Sequence, residues 1–199
     1  MKKASRLLLL TGIALGVGFA AGHLSHAPTV RLLRSAGRAS GLSRLDRELN
    51  ALLLGRPVPA VTLRPAEGRT VDLVSLVKGP AVVVFSSLSC PHCRTLRSIL
   101  RSKQAAGELG PLRVVLIGVD NKEEAEVAPD LNAGPEEWLR GMLPRGEENL
   151  EIRSRYGLFL VPAIWFVDDE GRVASRMNGF SKRSLNRRLK RLIRASGSP

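Results

Sequence analysis

One unbroken apolar run, Ala81-Val82-Val83-Val84-Phe85, stands out in a chain whose other hydrophobic residues recur at regular spacings. A run of that kind reads as a strand covered on both faces. Immediately after it, residues 91–104 place Leu96, Ile99 and Leu100 at helical spacing, with Pro91 suited to a helix start. Residues 113–119 form a second buried strand. Residues 163–168 form a third, Asp169-Glu170-Gly171 a turn, and residues 172–177 a returning strand. Residues 61–63 and 70–73 surround Gly68 as a short hairpin. Residues 136–142 and 147–156 read as helices, with Gly157 stopping the second. Between them and the second strand, residues 121–134 are polar, acidic and irregular. Ser181 opens a closing helix with Leu185, Leu189, Leu192 and Ile193 on one face. Strands alternating with helices, ending in a hairpin, predict an α/β fold.

The N-terminus has a different pattern. Lys2, Lys3 and Arg6 precede an apolar core from Leu7 to Gly22, longer than an ordinary signal-peptide core and shorter than a comfortable membrane span. Residues 1–26 are therefore expected to be a cleaved signal peptide or an uncleaved signal anchor. The absence of a clean A-x-A cleavage site favours the anchor. Residues 27–54 follow as a basic, amphipathic linker. Leu42, Leu45, Leu49, Leu52 and Leu53 recur there at helical spacing, for a helix lying on lipid or docked on the domain. Gly55-Arg56-Pro57-Val58-Pro59 marks the start of the main domain, residues 55–196. The basic residues ahead of the apolar core lie closer to it than Arg31, Arg34 and Arg38 behind it. This favours an extracytoplasmic domain, in the periplasm or on the outer face of the cytoplasmic membrane.

Charge sharpens the list of partners. Lys and Arg total 31 against 18 acidic residues, a net charge of +13. The aromatics are two Trp, one Tyr and five Phe, none interleaved with the basic clusters, which argues against nucleic acid. Attraction to an anionic membrane surface is the more natural use of such charge, and a merely solvated basic surface the plainest.

The two cysteines, Cys90 and Cys93, frame Pro91 and His92 where the first strand gives way to its helix. Unpaired N–H groups at a helix start stabilise a thiolate, and a second thiol one turn on can close a small disulfide ring. The pair reads as a redox site, with Cys90 attacking, Cys93 resolving, and His92 supplying positive charge or a hydrogen bond. No cofactor beyond the Cys90–Cys93 disulfide is expected, and no metal. A zinc site would need His23 and His26 from the targeting segment, and a bridge across so short a loop would be a poor structural staple. Pro162, directly after Val161, is expected at the first residue of its strand, where a missing N–H costs nothing.

Three segments together resemble the thioredoxin superfamily: Phe85-Ser86-Ser87-Leu88-Ser89-Cys90-Pro91-His92-Cys93, then Tyr156-Gly157-Leu158-Phe159-Leu160-Val161-Pro162-Ala163, then Asp168-Asp169-Glu170-Gly171. The opening Gly55–Pro59 segment and the central insertion resemble the membrane-tethered TlpA/ResA and MauD-type proteins. The Cys-Pro-His-Cys tetrad resembles that of DsbA. The resemblance implies a central mixed sheet flanked by helices and a cis Pro162 lying against the Cys pair. It also implies substrate binding by the Val161 and Pro162 backbone, beside Pro91. The implied partners are cysteine-containing exported client proteins and a redox partner that resets the site. Ser89 replaces the family's usual Trp. Val84 and Leu96 stand where relatives carry the carboxylates that take the proton of the buried thiol, which weakens a reductase role and favours an oxidising or isomerising one. Two alternatives stay open. A peroxiredoxin-like peroxidase would use Ser87 but lacks a Pro at Val83, and a non-enzymatic metal or haem-maturation adaptor lacks a downstream His.

Overall fold

The computed structural model describes residues 44, 46–64, 70–122, 135 and 137–197. The targeting segment, most of the linker, the tip of the first hairpin and the acidic stretch 123–134 lie outside the described residues. Residues 46–53 are helical (α1), and a compact unit begins within this helix at Leu49. From there on the helix is docked on the domain. Leu49 and Leu53 are buried, and the Asn50 side chain accepts a 3.0 Å hydrogen bond from Arg176 Nε. No helix among the described residues is long and apolar enough to cross a membrane.

The remaining elements follow in order: β1 (Thr62–Leu63), β2 (Val71–Asp72), α2 (Leu73–Leu76), β3 (Ala81–Ser86), α3 (Pro91–Ala105), β4 (Arg113–Gly118), β5 (Leu139–Met142), α4 (Glu147–Arg155), β6 (Ala163–Val167), β7 (Val173–Asn178) and α5 (Lys182–Ser196). β1 and β2 pair antiparallel as the expected hairpin. The other five strands form one mixed sheet in the order β5-β4-β3-β6-β7. β4 runs parallel to both β3 and β5, whereas β6 is antiparallel to β3 and β7.

Every residue of β3 is buried because its alternate side chains enter two separate cores. Ala81, Val83 and Phe85 join one core with Leu53, Leu63, Leu73, Val115, Ile117 and Trp165. Val82 and Val84 join the other with Leu96 and Leu100 of α3 and Leu185, Leu189 and Leu192 of α5. The period of two along the strand thus matches the two-sided covering that an uninterrupted apolar run requires.

One sequence expectation is corrected. The helix expected over residues 136–142 is not found among the described residues, because Leu139–Met142 form edge strand β5. Its backbone pairs with β4 from Val115↔Leu139 to Gly118↔Met142, and Met142 also exchanges two hydrogen bonds with Arg64, at 2.7 and 2.8 Å. Gly141 weakens a helix locally and allows close approach, since a Cβ there would lie 3.1 Å from Leu63 Cδ1. Sheet pairing on both sides overrides the local spacing. Gly157, by contrast, ends α4 as expected. It adopts φ +65°, and a Cβ would come within 2.4 Å of Leu49 Cδ1, so conformation and packing both require glycine.

Candidate active site

The site follows from which strand ends are neighbours. β3 lies between β4 and β6, so the carboxyl end of β3 stands beside the carboxyl end of parallel β4 and the start of antiparallel β6. Three loops therefore meet at one edge of the sheet: Ser87–Cys90, Val119–Asn121 and Leu158–Pro162. Phe85 and Trp165 pack edge-to-face beneath them, with ring centroids 4.6 Å apart, and Tyr156 meets Trp165 at 5.9 Å. This aromatic floor fixes the loops' origins.

Cys90 is the N-cap of α3, in extended conformation, and Pro91 occupies the first helical position, where its missing N–H costs no hydrogen bond. The Cys90 sulfur accepts a hydrogen bond from Cys93 N–H at 3.1 Å and lies 3.6 Å from the Val161 carbonyl, to which its thiol donates. No acidic residue occupies the first turn of α3, so the positive end of the helix dipole acts on the sulfur undiminished. Pro91 and His92 are exposed on that turn and Cys90 is half-buried. Cys93 is fully buried, and the two cysteines are unlinked.

Burial pushes the Cys93 thiol up to about 12, from an ordinary 9.0, with a further rise from the Cys90 side chain and its charge. A backbone hydrogen bond from Ser87 opposes the rise, and the Ser86 side chain opposes it more weakly. The Ser86 hydroxyl is buried. Val84 and Leu96, the positions of the missing carboxylates, are completely buried in the apolar core.

The Val161–Pro162 peptide bond is cis. Pro162 is buried just ahead of β6, and its carbonyl accepts a 2.7 Å hydrogen bond from Gly179 N–H. The structure thus brings Cys90, Cys93, Val161 and Pro162 together, with Pro91 and His92 on the exposed rim. Next to them Phe159 and Leu160 are large apolar side chains more than half exposed, and the Arg153 guanidinium lies 5.0 Å from the centre of the Phe159 ring. Among the described residues no three metal-ligating side chains converge.

The sequence reading did not single out Asp120. It follows β4 and is half-buried, and its carboxylate accepts hydrogen bonds from Ser87 Oγ at 2.7 Å and Leu88 N–H at 2.8 Å. One signal for it was present, because polar residues just beyond the carboxyl ends of parallel strands are where α/β sites collect.

The thioredoxin-like domain family matches residues 57–193, most of the chain. The chain belongs to that family. Solved structures agree on the thioredoxin-like fold. The chain is similar to a putative thiol:disulfide interchange protein DsbE from Chlorobium tepidum, at 22% identity and a TM-score of 0.57, over 72% of this chain and 96% of that one. It is similar to a thiol:disulfide interchange protein from Bacteroides sp., at 18% identity and a TM-score of 0.59, over 73% and 93%. It is also similar to a secreted Mycobacterium tuberculosis disulfide oxidoreductase, at 20% identity and a TM-score of 0.52, over 67% and 96%. No curated protein matches the chain. Within this thioredoxin-like fold the Cys-Pro-His-Cys segment occupies the strand-to-helix turn, facing the cis-proline loop.

Proposed function

We propose that this thioredoxin-like protein is a thiol–disulfide oxidoreductase acting on cysteines of exported client proteins, with an oxidising or isomerising role ahead of a reducing one. The observation that carries the reading is the placement of Cys90, half-buried at a helix N-cap with its sulfur 3.6 Å from the Val161 carbonyl. An attacking sulfur and a stretch of backbone able to align an extended client share one edge of the molecule. The exposed Phe159 and Leu160 widen that edge for an apolar polypeptide.

In the oxidising direction a client thiolate attacks Cys90 Sγ of the Cys90–Cys93 disulfide. The S–S bond breaks, and Cys93 leaves as a thiolate and takes up a proton. The client's second thiolate then attacks its own sulfur in the mixed disulfide and releases Cys90. Two electrons have passed from client to enzyme, and a redox partner withdraws them to restore the bridge. A Cys93 that is mostly protonated near neutral pH discharges the client from within only slowly, which leaves time for the client's own thiol to finish the reaction. His92, exposed on the first turn of α3 two residues from Cys90, is assigned the tuning role, since positive charge there favours the reduced form of the pair and so strengthens the disulfide as an oxidant.

An extracytoplasmic site, held by the N-terminal segment at the membrane, is supported by the basic residues ahead of the apolar core. The secreted character of the similar mycobacterial oxidoreductase points the same way. Equilibration with glutathione tests the direction. A reduction potential between about −120 and −180 mV is expected, and one near about −270 mV would assign the protein to the reductases.

A further inference from the structure

We propose that Asp120 is a positioning residue for the second half of the reaction: it holds Ser87 against Cys93, and so sets how readily Cys93 releases a client bound to Cys90. The inference rests on Cys93 being the resolving thiol of the proposed oxidoreductase. It goes further in assigning control of that step to a carboxylate on a neighbouring strand.

The geometry is a short chain of contacts. Asp120 accepts from Ser87 Oγ at 2.7 Å through one oxygen and from Leu88 N–H at 2.8 Å through the other. Because the Ser87 hydroxyl donates to Asp120, its lone pairs face Ser89 Oγ, 3.2 Å away. Ser87 also closes the turn into the helix, its carbonyl accepting from Cys90 N–H at 3.3 Å. Asp120 itself is held in place, since Val119 N–H donates to the Ser86 carbonyl at 2.9 Å. Both oxygens of a half-buried carboxylate are thus spent on two consecutive residues of the loop that carries the attacking thiol. The same turn carries Cys90, whose sulfur and carbonyl both accept from Cys93 N–H at 3.1 Å, and the Ser87 backbone opposes the upward push on the Cys93 thiol. Charge-assisted bonds of this kind are the stronger class, so they fix the loop more firmly than a neutral partner would. No carboxylate stands at Val84 or Leu96 to serve Cys93, so the donors arranged around its sulfur are what stabilise its thiolate.

The sign of the effect separates positioning from simple electrostatics. Removing a nearby negative charge would by itself make the Cys93 thiolate easier to form, and release faster. Loosening the Ser87 donor makes the thiolate harder to form, and release slower. The full-length chain is loaded with 2-nitro-5-thiobenzoate as a mixed disulfide on Cys90, and release of the chromophore by Cys93 is followed from pH 6 to 9. Wild type, Asp120→Ala, Ser87→Ala and the double variant are compared. Asp120→Ala is expected to slow release about tenfold at fixed pH, the size of effect that follows loss of one donor to an ionised group. Its pH profile should be displaced about one unit to the alkaline side. Ser87→Ala, which changes no charge and removes less from the fold, should move in the same direction, and the double variant should add less than the product of the two. Release by Asp120→Ala and Ser87→Ala at or above the wild-type rate overturns the proposal, as does full additivity in the double variant. If wild type itself fails to release the chromophore, the resolving role of Cys93 falls and the inference falls with it.

Discussion

Cys90→Ala is expected to lower the rate of disulfide exchange with a protein client by on the order of 10³-fold or more, while leaving the melting temperature within a few degrees of wild type. The thiolate is the species that forms and breaks S–S bonds, and no other described sulfur reaches the surface at this edge of the sheet, because Cys93 is fully buried. Cys90 caps α3 through its sulfur, but its carbonyl also accepts from Cys93 and Arg94 N–H, at 3.1 and 3.3 Å. Losing the sulfur therefore removes one cap bond and leaves the helix start otherwise intact. Stopped-flow fluorescence of a client carrying a single disulfide, with thermal unfolding by circular dichroism alongside, measures both quantities. Unchanged exchange in Cys90→Ala would move the chemistry away from the helix tip.

The second large effect is the pH dependence of Cys93. With this thiol pushed up to about 12, the thiolate fraction rises tenfold for each pH unit over the whole range in which the protein can be handled. Burial, the largest cause, remains when Cys90 is joined to a client, although the two contributions of Cys90 itself do not, so release of a mixed disulfide from Cys90 should climb from neutrality upward and show no plateau near the ordinary 9.0. A plateau near the ordinary thiol range would contradict it. The same shift carries a stability consequence. The folded state holds the Cys93 proton more tightly than the unfolded chain does, so nothing is lost below pH 9. From there the unfolded state loses its proton first. The reduced protein should then lose up to about 1.4 kcal/mol per pH unit until the folded thiol titrates in turn. Cys93→Ala lacks this contribution, so a comparison of its urea midpoints with those of the reduced wild type between pH 8 and 10 isolates it.

What could be read from the chain depended on how local the signal was. The apolar run of β3, the helical spacing after Pro91, and the turn Asp169-Glu170-Gly171 are each specified by residues next to one another, and each is found where expected. The thioredoxin-like fold follows from their order. β5 was misread because its partners are distant in sequence. Leu139–Met142 becomes a strand only when β4 on one side and Arg64 on the other accept its backbone. Asp120 was passed over for a related reason. It looks like the first of several acidic residues in a polar stretch, and its contact with Ser87 spans 33 positions, closed by the parallel pairing of β3 and β4. Ser87 is legible in the sequence only as a candidate for a peroxidase, and Ser86 only as the end of the β3 run. Their place beside the Cys93 sulfur is a property of the folded turn, and the burial of Cys93 is what gives them leverage.

The most direct measurement is the intact mass of Cys93→Ala after mixing with a model protein carrying one accessible disulfide. A thiol that attacks through Cys90 and has lost its resolving partner should remain joined to the client as a one-to-one covalent adduct, released by dithiothreitol and mapped by peptide digestion to Cys90. No adduct, or an equal yield from Cys90→Ala/Cys93→Ala, would contradict the account.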